Sequence, residues 1–483
     1  MNKKIVLLFA GLLLLFSGFI YSQKQEVKNP AEIIILHTND MHAQIDNMGK
    51  LAYLVDSLKK SHLYVFLVSA GDNFTGNPVV DKYADKGYPM IDLMNQCGFD
   101  VSAFGNHEFD LGQDFLAKRI DQASFPFICC NIDSIGAILK RPPPFIILKA
   151  GNDIKLAILG IIQRGPSGKP ESHLSKLSGL TFSDGVTAAE RFTWLKEEYG
   201  NLIGLTHLGI ETDTILARII PEFDLIIGGH SHDLIDSLMI VRGVRIVQAG
   251  SKLQFVGKTT LMASDGKISV IRNENICLDS LRKVNRKIQS RIDKYNDNKE
   301  FRKVVGYSET PINGFNELGS LMTDALTNQV KADFAFINSG GIRVRSLSEG
   351  DITLYDIYKL DPFENEVMTF TLSASEISSL ICNAYNREGS IDLAVSGMNY
   401  TIITDRGNHC MSVNMSDYSG KAIDTTRKYK VAINSYLATD YRFDHKEPGI
   451  STGLTSDNIL ISYLQSVKKV NYSGVKRTFI KSE

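Results

Sequence analysis

Short apolar runs recur along the chain, and most end in polar or glycine-rich residues. Residues 32–36 lead into His37-Thr38-Asn39-Asp40, and 65–68 into Ala70-Gly71-Asp72-Asn73. Residues 101–104 lead into Gly105-Asn106-His107-Glu108, and 155–162, 202–205 and 224–227 follow the same design. Apolar runs of roughly four to eight residues bounded by turn signals predict buried strands. Between several of them the apolar spacing turns helical, as at 51–60 and 89–97. Strands alternating with helices predict a layered α/β architecture. Residues 244–248 read as a further strand, and Asp265-Gly266 as the turn of a hairpin.

Residues 279–303 change character. They are rich in charge, with Leu281, Val284, Ile288 and Ile292 near helical spacing, and predict an amphipathic connecting helix. Such a helix could serve as a hinge or pack on the first half. A second α/β region begins at 304, with helices at 319–330, 375–386 and 456–467. Its strands fall at 333–337, 367–372, 398–404 and 429–433, the first ending in Asn338-Ser339-Gly340-Gly341-Ile342-Arg343. The expected organisation is a first domain at 30–275, a connecting helix at 279–303 and a second domain at 304–483.

A length of 483 residues suits two domains. With 43% hydrophobic and 22% charged residues, whole-chain disorder is excluded. The formal net charge of -1 gives no electrostatic case for nucleic-acid binding. Lys3 and Lys4 precede an apolar run that fades into Ser22 and Gln23, which predicts an export signal over residues 1–22. The run is short for a membrane span, and no other stretch is apolar enough, so an exported protein, periplasmic or secreted, without a stable span is expected. Six cysteines form neither a disulfide scaffold nor a zinc pattern, and buried free thiols are expected.

The strand ends carry the chemistry. Asp40, His42, Asp72, Asn106, His207, His230 and His232 all follow predicted strands, and sites in open α/β sheets form outside the carboxyl ends of strands. In extended chain, Asp40 and His42 would share a face and grip one ion. Oxygen and nitrogen donors without thiolate suit Zn²⁺ or Mn²⁺, with Mg²⁺, Co²⁺ or Ca²⁺ as further candidates. Seven donors exceed one tetrahedral zinc and suit two ions sharing a carboxylate, a clamp for displacement at phosphorus. His107 is then free to stabilise developing charge or protonate a leaving oxygen, with Asp110 holding its ring. Asn338, Gly340, Gly341 and Arg343 form an anion-binding turn: backbone N–H groups plus a charged fork.

In this order, Asp40-x-His42, Gly71-Asp72-Asn73, Gly105-Asn106-His107-Glu108, His207 and Gly228-Gly229-His230-Ser231-His232 resemble the calcineurin-like metallophosphoesterases. Leu36-His37-Thr38-Asn39-Asp40 and Gly105 through Asp110 resemble one branch, the secreted 5′-nucleotidases, with their UDP-sugar hydrolase and cyclic-nucleotide phosphodiesterase relatives. In the second half the resemblance rests on 317–325, 338–343, 350–353, Pro362-Phe363 and 452–455. It implies a four-layer αββα domain followed by a substrate-binding α/β domain. It also implies one ion on Asp40, His42, Asp72 and His232, the other on Asp72, Asn106, His207 and His230, and a His107–Asp110 catalytic dyad. At the position of His232 the nucleotidases often carry an amide.

Two departures stand out. The family clamps a base between two rings, but 389–395 holds no aromatic residue, and 436–443 lacks the family's glycine-rich loop. Tyr436, Tyr441 or Phe443 is left to supply one ring, with Tyr441 and Phe443 taken as substrate-binding. Arg345 and Arg387 read as solvent-exposed. The expected activity is release of phosphate from nucleoside 5′-monophosphates by metal-hydroxide attack. The alternatives are 2′,3′-cyclic-nucleotide phosphodiesterase with 3′-nucleotidase activity, or nucleotide-sugar pyrophosphatase activity. A non-enzymatic binding protein is disfavoured, because every ligand position is filled by a donor.

Overall fold

The computed structural model describes residues 31–482, Asn152 and Pro166 excepted. The expected signal at 1–22 lies outside them. In the first half two six-stranded sheets lie face to face. One runs Lys267–Cys277, Phe255–Ser264, Ala31–Thr38, Tyr64–Ser69, Val101–Ala103, Phe127–Ile128. The other runs Met239–Val241, Val244–Val247, Leu225–Ile227, Leu202–His207, Ile154–Ile162, Phe145–Ala150. The strand of period two explains the layering. Ile33 and Ile35 pack between the sheets, with Val68, Ile158 and Leu205. Ile34 and Leu36 point the other way, into a core shared with the helix Met48–Ser61. The second sheet is covered in turn by Gly185–Glu190 and Ile210–Ile219, completing helix, sheet, sheet, helix.

Parallel pairing brings the catalytic edge together. Thr38 lies opposite Ser69, Ser69 opposite Ser102, and Ile162 opposite His207. The strands therefore stop at one rim, and the polar strings that follow them emerge side by side.

The connecting helix is shorter than expected, Arg286–Asn296, with the Asn285 side chain capping Lys287 and Ile288 N–H groups. Leu281 and Val284 precede it. Ile288 and Ile292 are buried against the first half, beside Met48–Ser61. The second half is built on a five-stranded sheet ordered Leu393–Ser396, Phe334–Asn338, Lys428–Asn434, Glu366–Ser373, Ile450–Thr455. Gly314–Val330 and Ser456–Val467 cover one face, and Ala374–Glu388, whose capping box is closed by Ser373 and Glu376, covers the other.

One expectation is corrected. Cys382 and Cys410 form a disulfide that joins the helix Ala374–Glu388 to the strand Cys410–Ser416. Spacing alone could not show that these two meet in space. Cys97, Cys129 and Cys130 are buried thiols, as expected. The halves meet through ions: Lys82 Nζ lies 2.7 Å from Glu364 Oε1 and 2.9 Å from Asp457 Oδ2, and Lys86 Nζ 2.8 Å from Glu364 Oε2. Among the described residues, no helix is long and apolar enough to cross a membrane.

Candidate active site

The loops after the first two strands are zipped together. Asp40 N–H donates to Gly71 O, His42 N–H to Asp72 O and Ala43 N–H to Asn73 O, at 2.8–3.0 Å. Asp40 and His42 are not extended, as the sequence suggested. They sit at φ +49° and +46°, so a left-handed turn, not a pleat, brings them to one place. Asp72, His230 and His232 also have positive φ. Each such residue costs about 1–2 kcal/mol, and only a dense set of contacts sustains five of them.

Glu108 supplies much of that set. Its carboxylate accepts from the N–H groups of Gly105, Asp72 and Asn73, and from Asn73 Nδ2. It thereby ties the second loop to the third. Gly71 and Gly105 are required by the fit. A Cβ on Gly105 would lie 2.1 Å from Asp72 Oδ1, and one on Gly71, at φ +91°, 2.6 Å from Gly105 N.

The structure brings all seven expected donors together. His207 Nε2 lies 3.1 Å from Asp72 Oδ2 and 3.8 Å from Asp40 Oδ1, while Nδ1 meets Ala70 O at 2.8 Å. His230 Nδ1 faces Asn106 Oδ1 at 3.1 Å, and the His230 N–H donates to Asp40 Oδ2 at 3.0 Å. His42 Nε2 and His232 Nε2 point at one another across 3.1 Å, with Asp40 Oδ1 3.3 Å from the latter. Asp40, His42 and His232 converge closely enough to hold one ion, and so do Asp40, Asp72 and His207.

His107 stands beside this cluster. Its Nδ1 meets Asp110 Oδ2 at 2.6 Å, and its ring stacks on Phe363 at 5.9 Å between centroids. Ser172 Oγ donates to the other oxygen of Asp110.

The electrostatics fit cations. Burial opposes charge on Asp72, but His207 and His107 outweigh it and hold the carboxyl well below its usual value. Burial also opposes charge on His207, yet Asp72 and Asp40 push it up to about 10. His42 is held low by burial and by Arg343, and His230 by burial and His207. Two buried carboxylates thus favour a positive charge at His207, while the His42 and His230 rings stay neutral and offer lone pairs. His207 Nε2 is buried with Asp72 Oδ2 at 3.1 Å. A divalent ion between that nitrogen and the two carboxylates would take the place of the proton, a donor set suited to it.

The facing wall comes from the second half. Asn338, Gly340, Gly341 and Arg343 line the cleft with Phe363, Asn365 and Tyr436, opposite His107, Asp110 and Glu171. Arg343 Nη2 lies 3.4 Å from His42 Nδ1, with its guanidinium over the Phe363 ring. Tyr441 and Phe443 are placed elsewhere. Both are buried in the core under Ala374–Glu388, where Tyr441 OH donates to Asp392 Oδ2 and Phe443 packs on Phe370. Of the three rings considered, Tyr436 is the one at the cleft. Arg387 is largely covered, lying over Tyr441 with Nη2 3.7 Å from Glu171 Oε1. Sequence reasoning also missed Glu171, which sits in a loop without pattern, and the stacking role of Phe363.

Comparisons with known proteins agree with this fold. Residues 33–234 match the model of the calcineurin-like phosphoesterases, and 299–442 that of the 5′-nucleotidase C-terminal domain. The chain is 26% identical over 470 residues to the trifunctional nucleotide phosphoesterase protein YfkN of Bacillus subtilis, covering 84% of this chain but 32% of that protein. It therefore spans about a third of that relative's length. It is 26% identical to the 5′-nucleotidase of Vibrio cholerae, covering 92% of each. The crystal structure of a 5′-nucleotidase precursor from Thermus thermophilus superposes with a TM-score of 0.81 at 22% identity, over 94% of this chain and 100% of that one.

Proposed function

Because the chain belongs to the family that joins a calcineurin-like phosphoesterase domain to a 5′-nucleotidase C-terminal domain, we propose that it is a metal-dependent hydrolase of nucleotide phosphoesters. Its preferred substrates on this reading are nucleoside 5′-monophosphates. The observation that carries it is the convergence of seven oxygen and nitrogen donors beside the His107–Asp110 pair.

Asp40, His42, Asp72 and His232 would hold one divalent ion, and Asp72, Asn106, His207 and His230 the other, zinc or manganese first. When bound, such a pair polarises phosphoryl oxygens and makes a water nucleophilic near neutral pH. The chain's own residues do the rest. Arg343 presents its fork to the phosphoryl oxygens, fixing the group before attack. Asp110 fixes the proton on His107 Nδ1, which leaves Nε2 to interact with the leaving oxygen. Phe363 holds that ring flat. Asn338, Gly340 and Gly341 shape the wall on which the leaving nucleoside rests, and Tyr436 offers a face for stacking.

The second half, from 304, acts on this reading as the substrate-binding domain. A second reading, cyclic-nucleotide or nucleotide-sugar hydrolysis, is favoured by the segment 389–395, which holds no aromatic residue to pair with Tyr436. We also place the protein outside the cytoplasm. The Cys382–Cys410 disulfide supports this, because such bonds persist in oxidising compartments.

The test is phosphate release by the purified protein loaded with Mn²⁺ or Zn²⁺. Substrates are AMP, 2′,3′-cyclic AMP, UDP-glucose and an aryl phosphate. Fast AMP turnover that vanishes in His107→Ala is expected. Preference for the cyclic or sugar nucleotide moves the assignment to the second reading, and inertness toward all four overturns both.

A further inference from the structure

A second cavity shares Arg343 with the cleft and is lined by His232, Ser251, Lys252, Gln254, Ile342 and Arg345. Through His232 it adjoins the metal-ligand cluster. Its charge is one-sided. Lys252 Nζ donates only to Arg343 O, at 3.3 Å. Arg343 reaches the His42 ring and the face of Phe363, and among the described residues no carboxylate forms an ion pair with it. The exposed Arg345 side chain has no hydrogen bond or ion pair among the described residues. Lys82, at the junction of the halves, by contrast holds two carboxylates.

The loop is built rather than loose. Lys252 sits at φ +56° and Leu253 at +51°, and the Lys252 N–H donates to Asp40 O at 2.7 Å. A long cationic side chain is thus held in strained backbone and tethered to a candidate ligand. Asp110, Asp72 and Asp40 act on Arg343 from the cleft side, and the cavity side, with Lys252 and Arg345, presents cations alone. Two guanidinium forks, an ammonium, a hydroxyl and an amide suit a tetrahedral oxyanion.

We propose that Lys252, Arg343 and Arg345 form a second anion subsite beside the metal centre, which takes a phosphoryl group. The group is either inorganic phosphate or the distal phosphoryl of an oligophosphate substrate. The inference deepens the phosphohydrolase reading and rests on it for the chemistry of the ligand.

Arg345→Glu tests it, since that side chain has no partner to lose, and Lys252→Met is the second variant. Three quantities are measured on the metal-loaded protein: kcat/KM for AMP, kcat/KM for ADP, and the inhibition constant of inorganic phosphate. Calorimetric binding of pyrophosphate to the metal-free full chain is measured beside them. Loss of one charged contact should weaken the affected quantity roughly tenfold. Weaker phosphate inhibition with AMP and ADP turnover intact supports the site and assigns it to free phosphate. A fall for ADP but not AMP supports it and assigns it to a distal phosphoryl. Equal falls for AMP and ADP, or no change in any quantity, overturn it. If wild-type protein hydrolyses nothing, the phosphohydrolase reading fails on its own, and pyrophosphate binding that both variants weaken still supports the subsite. Binding that neither variant weakens overturns it.

Discussion

The cleft has two walls, made differently. On the first-half wall, Asp40, His42, Asp72, His230 and His232 all hold positive φ, and Glu108 braces the Asp72 loop against the Gly105 loop with four hydrogen bonds. On the second-half wall, Asn338, Gly340, Gly341, Arg343 and Tyr436 all keep negative φ. Strained backbone held by many contacts has one arrangement. Ordinary backbone at a strand end tolerates exchange of its side chains. The first wall is suited to hold ions in fixed geometry and the second to choose what leaves.

The largest expected effect strikes the first wall. Asp72→Ala removes the carboxylate that both proposed ion sites would share, and turnover should fall to background together with bound metal measured by mass spectrometry. Full metal content with lost turnover would break the comparison, because the wall would then not be what holds the ions. His107→Ala should lower kcat about 10²–10⁴-fold while metal content stays unchanged. Parallel loss of metal would make His107 a ligand instead. Glu108→Gln puts an amide among three N–H donors and should weaken metal affinity by about 10–100-fold, read by titration against a chelator. Tyr436→Ala touches only the second wall and should raise KM for nucleotides up to about tenfold at constant kcat. A matching fall in kcat would mean that the walls are not separable.

The smallest effect lies at the junction of the halves. Asp361 is buried close to Asp457, and its carboxyl is pushed from 3.8 up to about 7. The folded chain therefore binds this proton more tightly than the unfolded chain. The resulting stability is complete below about pH 4 and is lost as pH rises toward about 7. Asp361→Asn should remove this slope, so its urea midpoint should gain on wild type between pH 5 and pH 8. A constant difference across that range counts against the assignment.

Strands and their polar ends were legible because burial on both faces leaves an apolar run, and the rim leaves the string that follows it. The donors at 40, 42, 72, 106, 207, 230 and 232 were found this way. Their conformation was not, since nothing in Asp40-Met41-His42 distinguishes a pleat from a left-handed turn. The sequence suggests Tyr441 and Phe443 for the cleft because an aromatic residue near a missing clamp looks available. Burial depends on what folds over it, here the helix Ala374–Glu388. Glu171 and the Cys382–Cys410 bond rest on distant segments meeting in space, which no local spacing records.

The Gly105 backbone fills the side-chain space of Gly71, and Asp72 fills that of Gly105, so two strings separated by more than thirty residues form a single interlocking shape. Their spelling is kept by shape rather than by reaction. In a saturation library both columns should be empty of every letter but glycine, and no second change at the partner should refill them. The colliding atoms are backbone and the Asp72 carboxylate. A descendant that lost its chemistry would keep these two glycines longest, as the imprint of a site that no longer worked.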